Sequence, residues 1–463
     1  MTDIHAVIGQ AGTGKTTWLM EKAVEMAPIH LTAAHHSMLA ITRMHGARRR
    51  LQAKLRESCP TVRCQVTTID AFALAILNRW RTALGYSRPI QPVRGDSTFT
   101  ETVFGIEAGF THIAAASTCL LQSMTISALI RETYPLVMID EFQDCHGPVL
   151  DFVKAISACS TLFLAADDFQ FLDSTANGCP AVDWLNSMVA IGKARIERLS
   201  FNHRTAEGSI LEAARCLREG EKSEGKTILT YCCPSEHLAG WKIADALILG
   251  FYTGRWSGDC AVICPSHDPF INKALGSCNA QLVKKQRSPI TWHEERAREK
   301  EVDRIASSLS VEDLKVKYED GDGHSPRIGH QIAMSIERFA RLRGLREIPK
   351  NVISAFVERA VQNRRAHSPT SSRRVVTTIH GAKNREFENV IVIWSYKVLP
   401  NPEAKRRLLY NAITRARKRC MLIVPFDEKK TLADSVLSLL GPPEAGQRNT
   451  KKAKTGRRRS ETP

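Results

Sequence analysis

An α/β fold with two parallel, doubly wound sheets, each interrupted by a mainly helical insertion, is the architecture that this sequence predicts. Three observations carry it. Short apolar strands alternate with helical stretches over the first ~200 residues, a second such block begins near Ala261, and a glycine-rich turn stands between the first strand and the first helix.

In the first block, Ile4–Ile8, Ile29–Thr32, Val66–Ile69, Leu136–Ile139 and Thr161–Ala165 each lead into a polar turn, and the stretch from about Arg79 to Thr133 interrupts them. In the second, the strands are Ala261–Cys264, Val375–Ile379, Val390–Trp394 and Met421–Val424, with a helical run from Glu403 to Lys418 before the last. Between Ile263 and Val375 lies a charged, helix-biased stretch of ~100 residues, in which Gly321 and Gly323 stand among Glu319, Asp320 and Asp322. Gly441-Pro442-Pro443 closes the folded body. The expected division is residues 1–205 with an insertion at about 79–133, residues 206–440 with an insertion at about 276–372, and a disordered basic tail at 441–463.

Composition bounds the class. With 463 residues, 43% of them hydrophobic and 24% charged, the chain can bury several cores, so a small cross-linked scaffold is excluded. No apolar run reaches the ~18 residues that a membrane span needs, and few residues precede the glycine-rich turn, so the expectation is a cytoplasmic protein without membrane partners. The 13 cysteines are scattered without metal-ligand spacing and read as reduced thiols. The net charge of +17 makes a polyanion the first expected partner. Six basic residues and Glu461 give the tail from Lys451 to Pro463 a charge of +5, so the body keeps +12 without it.

Gly9-Gln10-Ala11-Gly12-Thr13-Gly14-Lys15-Thr16 fits G-x-x-x-x-G-K-[ST] and stands between a strand and a helix, the context that a phosphate-binding loop requires. Glycines let backbone N–H groups curl around a phosphate at a helix N-terminus. Lys15 brings a point charge to the β- and γ-phosphates, and the Thr16 hydroxyl can ligate Mg²⁺. Residues Gly9 to Thr17 are therefore the candidate nucleotide contacts, with ATP and Mg²⁺ as the ligands. The strand Leu136–Ile139 ends in Asp140-Glu141-Phe142-Gln143-Asp144, which puts carboxylates at a strand's C-terminal edge, where open α/β sheets bind nucleotide. Asp140 suits Mg²⁺, alongside Thr16; Glu141 is the candidate base for the attacking water.

These residues resemble the UvrD/Rep/PcrA helicases of superfamily 1. The phosphate loop, DEFQD at 140–144 and TIHGAKNREFENVIVIW at 378–394 carry the resemblance, and the remaining motifs agree in order. It implies two RecA-like P-loop NTPase domains and ATP-driven movement along single-stranded DNA in the 3′ to 5′ direction. The implied partners are single-stranded DNA or DNA with a single-stranded tail, with a nuclease or other protein as a further candidate. Ala165-Ala-Asp167-Asp168-Phe-Gln170 resembles the third motif, implying that Gln170 senses the γ-phosphate. Asn202-His203-Arg204-Thr205 resembles N-Y-R-S and implies that Arg204 contacts that phosphate. Arg415, in Leu409–Ala416, stands where the family has an arginine finger, and Glu386 where it has a ribose-binding glutamate. Thr67–Phe72 resembles the T-x-H-S-F segment, so Thr68 and Phe72 are candidate nucleic-acid contacts, with Phe72 open between base stacking and core packing. Thr378 and His380 are candidates from the fifth motif.

The chain departs from the family in places. Only eight residues precede Gly9, so no glutamine-containing adenine-reading segment stands well ahead of the loop. Leu31-Thr32-Ala33-Ala34-His35-His36 is the segment matched to L-T-F-T-N and lacks its aromatic. Asp70 replaces a histidine, and Phe171-Leu172-Asp173 lacks the tyrosine after the glutamine. The losses fall on the strand-binding side, which leads to the expectation of a motor that translocates well and separates duplex poorly alone. The alternatives are a translocase subunit of a nuclease or defence complex and a nucleotide-switch NTPase. The pathway is open among DNA repair, replication and anti-phage defence.

Overall fold

The structure, a computed structural model, describes residues 3–444 except 44, 94, 103–104, 174–177, 226, 295–297, 313, 320–325, 343, 368–372 and 396–400. The basic tail from Lys451, and Gly321 and Gly323 with Asp320 and Asp322, lie outside the described residues. The chain divides into two compact units, with boundaries after residues 206, 292 and 375; residues 293–375 group with the first.

The first unit is built on six parallel strands: β1 (Ile4–Gly9), β2 (Met38–Thr42), β3 (Cys64–Thr68), and, after three strands of the insertion, β7 (Leu136–Asp140), β8 (Thr161–Ala166) and β9 (Ala194–Leu199). Their spatial order is β3-β2-β7-β8-β1-β9. Successive side chains of a strand point to opposite faces, and here both faces are covered. Ala6, Ile8, Leu39, Ile41, Val137, Ile139, Leu162 and Leu164 enter one core. Val7, Met38, Ala40, Leu136, Met138, Phe163 and Ala165 enter the other. Register places Thr42 opposite both Asp140 and Thr68, so these three residues share the C-terminal edge of the sheet.

One expected strand is corrected. Ile29–Thr32 is not a strand: the helix Lys15–His30 runs through Ile29, which is 63% exposed, and residues 31–37 form the turn behind it. A strand inside a parallel sheet must be apolar on both faces, and Met38–Thr42, buried throughout, meets that condition. The L-T-F-T-N match at Leu31–His36 therefore falls on this turn, and the residue that leaves the sheet edge after Thr42 is Arg43. Ile69 also leaves the strand class, because Thr68 caps a helix that begins at Ile69. Strand β9 adds to the expected set, its sequence Ala-Arg-Ile-Glu-Arg-Leu being too polar for an apolar run.

The first interruption contains a small three-stranded sheet, β4 (Ile90–Val93), β5 (Thr100–Thr102) and β6 (Gly105–Gly109), with β6 central. Helices Phe110–Leu121 and Met124–Thr133 follow and pack Ile113, Leu121, Ile126 and Ile130 into the first unit's core. That bent pair aside, no described helix is long and apolar enough to cross a membrane.

The second sheet holds six strands, Leu229–Cys232, Cys260–Cys264, His293–Glu294, Arg374–Thr378, Phe387–Ile393 and Ala416–Val424. The first pairs in parallel with Ala416–Val424, which pairs with Phe387–Ile393, which pairs with Cys260–Cys264. The last helical run ends at Ile413, not Lys418, because Ala416 onward enters the strand against Phe387–Ile393. Helix Pro269–Lys284 packs Ile271, Ala274, Cys278 and Leu282 into this unit's core, so the second sheet is interrupted only beyond it. Within residues 293–375, an antiparallel hairpin (Leu309–Glu312 with Lys315–Tyr318) and helices Pro326–Leu342 and Lys350–His367 surround a separate apolar cluster around Ile336, Val352 and Val357. The two parallel sheets flanked by helices are two RecA-like domains.

Candidate active site

The turn after β1 is shaped by glycine. Gly12 (φ 86°) and Gly14 (φ 87°) sit in the left-handed region, where a Cβ is strained. Space is as tight as the dihedrals: a Cβ on Gly9 would lie 2.4 Å from Thr13 Oγ1, and one on Gly12 2.6 Å from Arg204 Cβ. Thr13 donates its hydroxyl to the Gln10 carbonyl at 2.9 Å, which folds the loop back on itself. Gly14 then starts the helix Lys15–His30, whose first N–H groups, those of Lys15, Thr16 and Thr17, belong to the turn that leaves helix donors open to an anion. Lys15 Nζ donates to the carbonyls of Gly9 and Gln10, both at 2.8 Å. Burial pulls the Lys15 ammonium below its ordinary range, opposed by the carboxylates of Asp167, Glu141 and Asp140.

A second segment is tied to this loop. Asn202 Nδ2 donates to the Ala11 carbonyl at 2.7 Å, and the His203 N–H donates to the Gly12 carbonyl at 2.8 Å. Asn202 Oδ1 accepts the N–H groups of Arg204 (2.9 Å) and Thr205 (3.3 Å), so one side chain both holds the loop and shapes the turn that carries Arg204. Beside Gly14 stand the exposed rings of His203 and Phe201, 4.8 Å apart and edge to face; Phe201 is 71% exposed.

Across the sheet edge, Thr16 Oγ1 donates to Asp140 Oδ2 at 3.2 Å, joining the two expected Mg²⁺ ligands. Burial first, and the neighbouring Glu141 second, push the Asp140 carboxyl up to about 6. A hydroxyl and a carboxylate, both hard oxygen donors and in contact with each other at the sheet edge, fit Mg²⁺. Glu141 adopts φ 59°, ψ 42°, an uncommon conformation for a residue with a Cβ, and its N–H donates to Asp140 Oδ1 at 3.1 Å. Its side chain is held by Gln143, whose Nε2 donates to Glu141 Oε2 at 2.5 Å. The other end of that amide accepts the Asp167 N–H at 3.0 Å, and Asp167 Oδ2 accepts Gln170 Nε2 at 2.8 Å. Gln143 and Asp167 are fully buried and Gln170 is 3% exposed, so this line of bonds is shielded from water.

The structure thus brings Lys15, Thr16, Asp140, Glu141, Gln170 and Arg204 together in one unit. Gln143, Asp167, Asn202, Phe201 and His203 received no role from the sequence. All but Phe201 stand inside the motif strings, but a string does not state which side chain bonds which. In the second unit, Arg415 is 2% exposed and donates Nε to the Asn411 carbonyl at 3.0 Å. Glu386 pairs with Arg417 at 2.7 Å.

Of the nucleic-acid candidates, Phe72, open between base stacking and core packing, lies in the core: it is 4% exposed and packs against Tyr134 and Phe152 at ring distances of 5.8 and 6.0 Å. Thr68 and Thr378 serve as helix caps, accepting the N–H of Ala71 (3.3 Å) and Gly381 (3.1 Å). His380 stands exposed. Arg43 Nη1 meets Asp70 Oδ1 at 3.1 Å, so the aspartate that replaces the family's histidine is paired with the arginine that follows Thr42. His35, His36 and Glu132 also gather ligand atoms within 4.8 Å of one another. His36 Nδ1 accepts the Ala33 N–H at 3.2 Å, so of this ring only Nε2, 3.8 Å from Glu132 Oε2, faces the group.

Residues 1–103 match the family described as UvrD/REP helicase N-terminal domain, and residues 374–423 match the UvrD-like helicase C-terminal domain. No curated protein matches the chain. Among solved structures, it is similar to a chain of the complex of the Arterivirus nonstructural protein 10 helicase with DNA, at 12% identity and a TM-score of 0.31. That similarity covers 95% of this chain and 63% of the other. The sheet order, and not this likeness, carries the fold.

Proposed function

We propose that this chain, a UvrD/Rep-type superfamily 1 helicase by the two domains it matches, hydrolyses ATP with Mg²⁺ to move along single-stranded DNA from 3′ to 5′. The observation that carries the reading is the line of bonds from Glu141 through the buried Gln143 and Asp167 to Gln170, next to a phosphate loop whose lysine holds two backbone carbonyls.

Thr16 and Asp140 would hold Mg²⁺, which would supply positive charge to the phosphate oxygens of bound ATP. Lys15 exchanges two carbonyls for phosphate, where its buried ammonium is better compensated. Glu141 accepts the proton of the attacking water, and Gln143 fixes which carboxylate oxygen stays turned away, since Oε2 is already engaged. Gln170 and Arg204 respond to the terminal phosphate; loss of that group on hydrolysis changes what they hold, and so drives stepping. Phe201 and His203 offer the base an aromatic surface beside the loop.

Weak strand separation by the chain alone is favoured by the burial of Phe72 and by the Arg43–Asp70 pair, which leave the edge near Thr42 with charge in place of a stacking ring. A nuclease or other partner would then complete the motor.

Steady-state ATP hydrolysis with and without single-stranded DNA, beside an RNA of equal length and the Lys15→Ala variant, tests the reading. Stimulation by DNA that vanishes in Lys15→Ala is the expected result. Turnover indifferent to nucleic acid would replace the motor with a nucleotide switch. Glu141→Gln should bind ATP and fail to turn over.

A further inference from the structure

The helix His45–Ser58 joins the end of β2 to β3 and places Leu51 and Leu55, four residues apart, against the sheet, 2% and 4% exposed. With that stripe fixed inward, Arg48, Arg49, Arg50, Lys54 and Arg56 are all exposed, and Arg63 continues the basic surface beyond the helix. Glu57 is the one acid in the helix, so it carries five positive charges against one negative. By contrast, the part-exposed Arg215 is held by Glu212, Glu219 and Glu221. Among the described residues, Arg48, Lys54, Arg56 and Arg63 have no acidic partner.

Resting on the DNA-motor reading, we propose that this helix is a second nucleic-acid contact, a clamp for the phosphate backbone of the duplex adjoining the single-stranded track. Uncompensated positive charge on a rigid face attracts phosphate without reading sequence. The helix has no phenylalanine, tyrosine or tryptophan, whereas surfaces for single strands interleave basic residues with stacking rings. Duplex, with its bases already stacked inside, needs no such rings. Between Arg48 and Arg56 the helix spans about 12 Å, at 1.5 Å per residue, enough to follow one strand's phosphates over a few base pairs.

The test is binding of the full chain to a single-stranded oligonucleotide and to the same strand with a duplex segment attached, across a salt series. The variants are Arg48→Gln/Lys54→Gln/Arg56→Gln and the charge-keeping Arg48→Lys/Arg56→Lys. Glutamine suits an exposed helix position, and thermal unfolding checks that each variant folds. Neutralisation should weaken binding to the tailed duplex about tenfold or more at low salt and lower its log–log salt slope by roughly 2 to 3, at ~0.9 per lost phosphate contact. Single-strand binding and DNA-stimulated hydrolysis should stay within about twofold, and the lysine variant should bind the tailed duplex normally, since the backbone is read as point charge. Equal loss on both substrates, or no loss on either, overturns the duplex clamp while leaving the motor intact. Failure of the unaltered protein to bind either substrate overturns the motor reading itself.

Discussion

The side-chain amide of Gln143 bonds the Glu141 carboxylate at 2.5 Å and the Asp167 N–H at 3.0 Å, and so joins the loops after β7 and β8 through one fully buried residue. The residue expected to take water's proton and the one expected to sense the terminal phosphate are thereby parts of one bonded unit. That unit also holds Glu141 in its left-handed conformation, which a free loop would abandon.

Gln143→Ala should lower the turnover number by about 10²-fold, the cost typical of a catalytic group moved by about an ångström. The KM for ATP should change far less, because the phosphate loop is untouched. Steady-state kinetics of Gln143→Ala and Gln143→Glu, the latter keeping the acceptor for Asp167 but losing the donor to Glu141, separates these effects; an unchanged turnover number in both would remove the link.

Gly12→Ala should impair nucleotide binding and stability together. At φ 86° an alanine is strained by roughly 1–2 kcal/mol, and its methyl would press on Arg204 Cβ at 2.6 Å and Asn202 Oδ1 at 2.8 Å. Fluorescent-nucleotide titration and thermal unfolding should both register the change, and nucleotide affinity equal to that of the unaltered protein would contradict it.

Arg415→Ala should reduce DNA-stimulated hydrolysis by about 10³-fold or more if it acts as a finger. Its guanidinium is buried and bonded to the Asn411 carbonyl, so a melting curve must accompany the kinetics. A loss below about tenfold would leave Arg415 a structural residue.

Phe72→Ala should destabilise the first unit by about 3–5 kcal/mol, as loss of a buried ring does, without selective loss of DNA affinity. Chemical denaturation and strand binding under native conditions measure the two; a folded variant of normal stability with impaired strand binding would restore the stacking role.

The sequence by itself determined the elements whose chemistry is local. A phosphate loop needs glycines, a lysine and a threonine in consecutive positions, so Gly9–Thr16 could be read without coordinates, as could the apolar strand ending at Asp140. Local signals failed where neighbours decide. Ile29–Thr32 and Met38–Thr42 are both short apolar runs, and only membership of the sheet's interior separates helix end from strand. Phe72 fits a stacking motif and a core equally well until Tyr134 and Phe152, distant in the chain, close around it. Glu141, Gln143, Asp167 and Gln170 stand in two separate strings, and only the parallel pairing of β7 with β8 brings their turns side by side. Residue type and spacing fix which groups a chain possesses; which of them bond across the sheet edge is decided by strand order and register, long-range properties that no local stretch encodes.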